Sequence, residues 1–199
     1  MIKIKICGLM QPQDAAAVNS VLPDYAGMIL SPGFRRSVSA ETAAAIRKAL
    51  KPEIPAVGVF VNSPYQFITE FAEAGIIQYI QLHGSEDAFY LRGLKACCRL
   101  PVIQAFRIRS AEDLAAAKAS AADLILLDSG TGSGKTFDHA LLKGFSRPYL
   151  LAGGLNAENI GGILAGHKPY GVDISSGAET DGQKDPEKIR AFVQAVRGE

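Results

Sequence analysis

Leu124-Ile125-Leu126-Leu127-Asp128-Ser129-Gly130-Thr131-Gly132-Ser133-Gly134-Lys135-Thr136-Phe137-Asp138 is the stretch on which the fold turns. An apolar run ends in a carboxylate and passes into a glycine-rich turn. That is the pattern of a strand delivering an acid to a place where backbone N–H groups meet an anion. Two architectures claim it. A nucleotide-binding loop of the form G-x-x-x-x-G-K-[ST] needs glycine five residues before Gly134, where Ser129 stands. The other is a parallel barrel, in which Asp128 at the strand end does chemistry and the glycines turn the chain.

Downstream, Tyr149–Ala152 reads as a strand ending in Gly153-Gly154-Leu155, and Asn156 caps a helix through Leu164. Gly171–Ile174 is another strand, followed by Ser175-Ser176-Gly177, a polar loop, and Asp185-Pro186 opening a last helix to Val196. Upstream, Ser110 starts a helix with Glu112 and Asp113 at its positive end, after a strand from Pro101 to Phe106. Ser85 begins a helix reaching Cys98, after the strand Ile77–Leu82. Ser63, Pro64 and Gln66 supply a cap, a first-turn proline and a third-position amide for a helix that Gly75 ends. It follows the strand Ile54–Val61.

Nearer the start, Ser39 caps a helix through Leu50, after the short apolar run Tyr25–Leu30 and a loop carrying Arg35 and Arg36. Pro12 opens the first helix, and Ile2, Ile4 and Ile6 alternate with Lys3, Lys5 and Cys7 as a strand with one apolar face. With a short helix from about Asp138 to Leu142, strand and helix alternate eight times. That repetition predicts a closed (β/α)8 TIM barrel, one domain over residues 1–199. The fold-level alternative is an open doubly wound sheet. Its usual G-x-G-x-x-G first turn is replaced here by Cys7-Gly8-Leu9-Met10.

Composition narrows the partners. A chain of 199 residues with 48% hydrophobic content suits one core, and a net charge of +1 gives no electrostatic case for nucleic acid or an anionic membrane. No apolar run approaches the roughly 20 residues of a membrane span, and the N-terminus passes straight into a strand pattern, so a cytoplasmic location is expected. Cys7, Cys97 and Cys98 have no metal-ligand spacing, so neither disulfide nor metal is expected; Cys97-Cys98 is read as helix packing.

In parallel barrels the reacting side chains come from the C-terminal strand ends, which here offer Cys7, Arg35, Arg36, His83, Asp128 and Asp173. Period-two alternation points Lys3, Lys5 and Cys7 into the barrel, with Leu124, Leu126 and Asp128 on the inner face of their own strand. Lys5 beside Cys7 is expected to favour the thiolate, although a buried packing thiol is the plainer reading of Cys7. For Asp128 the plainer reading is a loop cap, and for His83 a satisfied structural imidazole. Gly153-Gly154 and Ser175-Ser176-Gly177 follow strands seven and eight, the loops that often bind phosphate in such barrels, so a small phosphorylated ligand is expected there.

Lys5-Ile6-Cys7-Gly8, Gln81-Leu82-His83-Gly84, Leu127-Asp128 with Gly132–Asp138, Gly153-Gly154-Leu155 and Val172–Gly177 together resemble phosphoribosylanthranilate isomerase of tryptophan biosynthesis. The resemblance spans nearly the whole chain. It implies an Amadori rearrangement of N-(5-phosphoribosyl)anthranilate, with Asp128 as general acid, Cys7 as general base and no cofactor. It further implies that Arg36, or Arg35 beside it, meets the anthranilate carboxylate; His83 and Asp173 stand as candidate substrate contacts by their strand-end positions. His139 departs from the tryptophan usual after Phe137-Asp138, Lys135 receives no role, and monomer and homodimer both fit. A related isomerase of a histidine-pathway ribotide would carry aspartate in place of Cys7, and a non-catalytic phosphate binder would lack Cys7 or Asp128.

Overall fold

Ile4 and Ile6 are 1% and 0% exposed and join the core cluster shared with the helices, while Lys5 and Cys7 on the alternate face turn into the barrel. This first strand, β1 (Lys3–Cys7), is followed by β2 (Tyr25–Ile29), β3 (Ala56–Phe60), β4 (Tyr79–Leu82) and β5 (Val102–Arg107). Next come β6 (Leu124–Asp128), β7 (Tyr149–Ala152) and β8 (Gly171–Ile174). In this computed structural model, which describes residues 1–128, 142 and 145–198, each strand pairs in parallel with the next. β8 returns to β1 through Lys3↔Gly171 and Lys5↔Asp173. The barrel is closed, which removes the open-sheet alternative and the nucleotide-loop fold that depends on it.

The strands between the helices carry two apolar faces. One packs outward; the other forms an inner cluster of Tyr25, Val57, Ile103, Ala105, Leu126, Leu150 and Ala152. Leu126 and Asp128 therefore share the inner face of β6, as period-two alternation requires. Full burial of one aliphatic side chain is worth about 1.5–3 kcal/mol, so the two-faced strands supply much of the driving force for closure.

The helices are α1 (Asp14–Val21), α2 (Ala40–Ala49), α3 (Tyr65–Glu73), α4 (Ala88–Cys97), α5 (Ala111–Ala119), α6 (Ile160–Gly166) and α7 (Pro186–Arg197). Ser39 caps α2, Ser110 forms a capping box with Asp113 on α5, and Asp185 with Pro186 opens α7. Three expected starts are displaced. Ser63 is buried with its hydroxyl 3.1 Å from that of Ser31, so Pro64 takes the cap position of α3. Asp87, rather than Ser85, caps α4 by accepting from Tyr90 N–H at 2.7 Å. The side chain of Asn156 caps a turn over Glu158 and Asn159, and α6 begins only at Ile160. Cys98 packs in the core, but Cys97 is exposed. The helix expected near 138–142 lies outside the described residues apart from Leu142, as do Lys135 and His139.

The polar segment after β8 holds a feature that the strand-helix alternation did not anticipate. β9 (Glu179–Thr180) and β10 (Gln183–Lys184) form a small antiparallel hairpin. Asp181 and Gly182 turn it with φ of 51° and 79°, the left-handed pair of a type I′ turn, for which Asp-Gly is a strong signal. Among the described residues no helix is long and apolar enough to cross a membrane.

Candidate active site

The C-terminal strand ends surround a cavity of about 520 Å³. Cys7 reaches it from β1, Gln81 and His83 from β4, Arg107 from β5, Asp128 from β6 and Asp173 from β8. Arg36 enters from the loop after β2. Gly153 and Gly154 line it after β7, and Ser175, Ser176 and Gly177 after β8. The cavity thus gathers the strand-end residues picked out by position, apart from Arg35, whose side chain is 61% exposed and turned away from the lining.

Cys7 sits on β1 opposite Gly27 of β2, and the absence of a side chain at Gly27 makes its space: a Cβ there would lie 2.7 Å from the Cys7 Sγ. Below it, the fully buried Lys5 donates to both carboxylate oxygens of Asp173 at 3.0 and 2.9 Å. Burial works against the lysine charge, yet Asp173 and Cys7 together lift Lys5 above its ordinary value. Burial also dominates at the thiol. It pushes Cys7 up, and Lys5, shared with Asp173, only partly opposes it. The expectation that Lys5 would favour the thiolate therefore holds in sign but not in net effect.

Across the mouth, His83 Nε2 lies 3.4 Å from Asp128 Oδ2, and His83 Nδ1 lies 3.5 Å from the Gln81 amide nitrogen. Asp128 and Cys7 stand on strands three steps apart by way of β7 and β8, so a small molecule in the cavity has a carboxyl on one side and a thiol on the other.

The loops between them suit an anion. Gly153 and Gly154 take φ of 99° and 63°, and a Cβ on Gly154 would meet nothing within 4 Å, so its backbone is open to a ligand. Gly177, in the 3₁₀ turn Ser176–Ala178, packs where a Cβ would collide with the Leu155 carbonyl. First-turn N–H groups lack intrahelical partners and face outward, as an anion requires. Among the described residues no group of three or more His, Cys, Asp or Glu converges as metal ligands.

Four participants were missed. Gln81 and Arg107 occupy inward positions of β4 and β5, so the alternation already applied to β1 and β6 would have found them. Glu179 and Lys184 lie in the hairpin. The Glu179 carboxylate accepts from Arg36 Nε at 2.6 Å and Nη2 at 2.9 Å, from Arg35 at 2.9 Å and from Lys184 at 2.9 Å. Burial raises this carboxyl, but the Arg36 and Lys184 hydrogen bonds outweigh it and hold it at about 2.

Known proteins resemble this chain along nearly its whole length. Residues 4–195 match the family model for N-(5'-phosphoribosyl)anthranilate (PRA) isomerase. The chain is 43% identical to the N-(5'-phosphoribosyl)anthranilate isomerase of Endomicrobium trichonymphae over 202 residues, covering 99% of each chain. It superposes on the crystal structure of phosphoribosyl anthranilate isomerase from Thermotoga maritima with a TM-score of 0.92 at 34% identity, covering 100% of both chains. A structure of the isomerase in complex with reduced 1-(o-carboxyphenylamino)-1-deoxyribulose 5-phosphate gives 0.89 at 32% identity, again over 100% of both. With model, relatives and barrel all matching across its length, the chain belongs to the N-(5'-phosphoribosyl)anthranilate isomerase family.

Proposed function

We propose that this isomerase converts N-(5-phosphoribosyl)anthranilate to 1-(2-carboxyphenylamino)-1-deoxyribulose 5-phosphate, with Asp128 as general acid and Cys7 as general base. The observation that carries the assignment is the approach of a strand-end carboxyl and a strand-end thiol to one cavity beside two glycine-serine loops. The loops after β7 and β8 hold the phosphate. Arg36 receives the anthranilate carboxylate, for which its planar fork is well shaped.

The chemistry follows from the two sides. Asp128 in its protonated form gives a proton to the furanose ring oxygen, the bond from C1′ to that oxygen breaks, and the nitrogen lone pair forms a protonated Schiff base. The Cys7 thiolate then removes the C2′ proton, and the electrons flow into the C1′–C2′ bond to give an enolamine. Tautomerisation puts a proton on C1′ and takes one from the C2′ hydroxyl, leaving the ketone. One proton has moved from Asp128 to Cys7, and exchange with solvent restores both. His83, within reach of Asp128, and Asp173, beneath Cys7 through Lys5, are placed to contact substrate or hold these two groups.

The test is loss of anthranilate-type fluorescence when the purified chain meets freshly formed phosphoribosylanthranilate. Turnover above the uncatalysed rate is expected; its absence overturns the assignment.

A further inference from the structure

Arg36 reaches the cavity already held. Its Nε and Nη2 donate in parallel to the two oxygens of Glu179, the two-point geometry that fixes a guanidinium in one plane. That contact uses one edge of the fork. The other edge, with Nη1, remains for a ligand in the cavity that Arg36 lines. An unanchored arginine would have to surrender its rotamer freedom on binding, and the pairing removes that cost beforehand.

Glu179 does more than balance one charge. Its side chain is 4% exposed and is shared by Arg35, Arg36 and Lys184, so three cations surround one carboxylate and the neighbourhood stays positive. Lys184 faces Glu179 across the hairpin ladder and also donates to the Ser175 carbonyl at 3.0 Å. A single side-chain chain therefore runs from the arginine in the β2 loop to the glycine-serine loop after β8. The Asp181-Gly182 turn sets the register that makes the chain continuous.

We propose that Glu179 is a positioning residue for substrate recognition: it presents Arg36 to the anthranilate carboxylate and, through Lys184, ties that contact to the phosphate loop at Ser175. The proposal rests on the reading that Arg36 meets the carboxylate, and its test separates the two. Two ligands are compared by calorimetry: reduced 1-(o-carboxyphenylamino)-1-deoxyribulose 5-phosphate and its counterpart with a plain phenylamino group. The unmodified chain should prefer the carboxylated ligand by about 10-fold to 100-fold, as expected for a charged hydrogen-bonded pair. In Glu179→Gln most of that preference should vanish, while affinity for the phenylamino ligand falls by less than about threefold.

Equal loss for both ligands would make Glu179 merely structural and overturn the proposal. Full retention of the preference in Glu179→Gln would overturn it as well, with Arg36 recognition intact. No preference in the unmodified chain would instead remove the Arg36 reading, and the proposal with it. If the glutamine variant does not fold, Glu179→Asp serves, because the shorter carboxylate keeps the charge but no longer reaches Arg36 where it now lies. The same selective loss is expected, and an unaltered preference overturns the proposal.

Discussion

Gly27 stands beside Cys7 in the pairing of β1 with β2, and a methyl group there would come within 2.7 Å of the Cys7 Sγ and 3.1 Å of the Lys5 Nζ. The placement of the thiol thus depends on a residue that has no chemistry of its own. Gly27→Ala should displace Cys7 and lower kcat by about 10-fold to 100-fold, since misplacement of a reacting group by about 1 Å costs that much. KM should change little. Unchanged kcat in a folded Gly27→Ala protein would show that the thiol position is not tight.

The upward push of burial on Cys7 has a kinetic consequence. The thiolate is also the form that alkylates, so the rate at which iodoacetamide inactivates the chain rises as the proton leaves, and a raised thiol moves that rise to higher pH. Hence that rate should climb by roughly tenfold per unit from pH 7 to beyond about 8.5, the ordinary thiol value. A rate that is flat from about pH 6.5 to 9 would contradict the raised thiol.

Lys5 and Asp173 form a buried pair whose members depend on each other. Lys5→Met leaves the carboxylate buried without its cation and should cost about 3–5 kcal/mol in urea unfolding. Adding Asp173→Leu should restore much of that stability, because two apolar groups need no partner. A loss below about 1 kcal/mol in the single variant would contradict the pairing.

Glu179 links stability to acid. Its carboxyl lies at about 2 in the folded chain against an ordinary 4.5, so the unfolded chain takes up its proton first as pH falls. Its contribution is full above about pH 4.5 and is lost as pH drops from there towards 2. The difference in urea midpoint between the unmodified chain and Glu179→Gln should therefore narrow across that window. A constant difference would show that the charge of Glu179 is not what the hairpin needs.

The barrel was legible because its signals are local and repeated. Ile4 and Ile6 against Lys5 and Cys7 state one strand's two faces outright, and Ser39, Ser110 and Asp185 mark helix starts by hydrogen bonds to neighbours in sequence. Ser63 misled because its hydroxyl has a partner 32 residues away in Ser31, which no local pattern reveals. Site residues at strand ends could be read from position, since barrel closure brings them together whatever their neighbours. Glu179 could not: its importance comes from Arg36, 143 residues distant, and from a hairpin hidden in a polar segment. Asp181-Gly182 was its one visible sign.

The central claim, an acid and a base acting from opposite sides of one cavity, is tested most directly by kcat for Cys7→Ala and Asp128→Ala in the fluorescence assay, with circular dichroism confirming the fold. Each should fall by about 10² or more, the usual contribution of a positioned general acid or base. Near-normal turnover in either folded variant would contradict the role assigned to that residue.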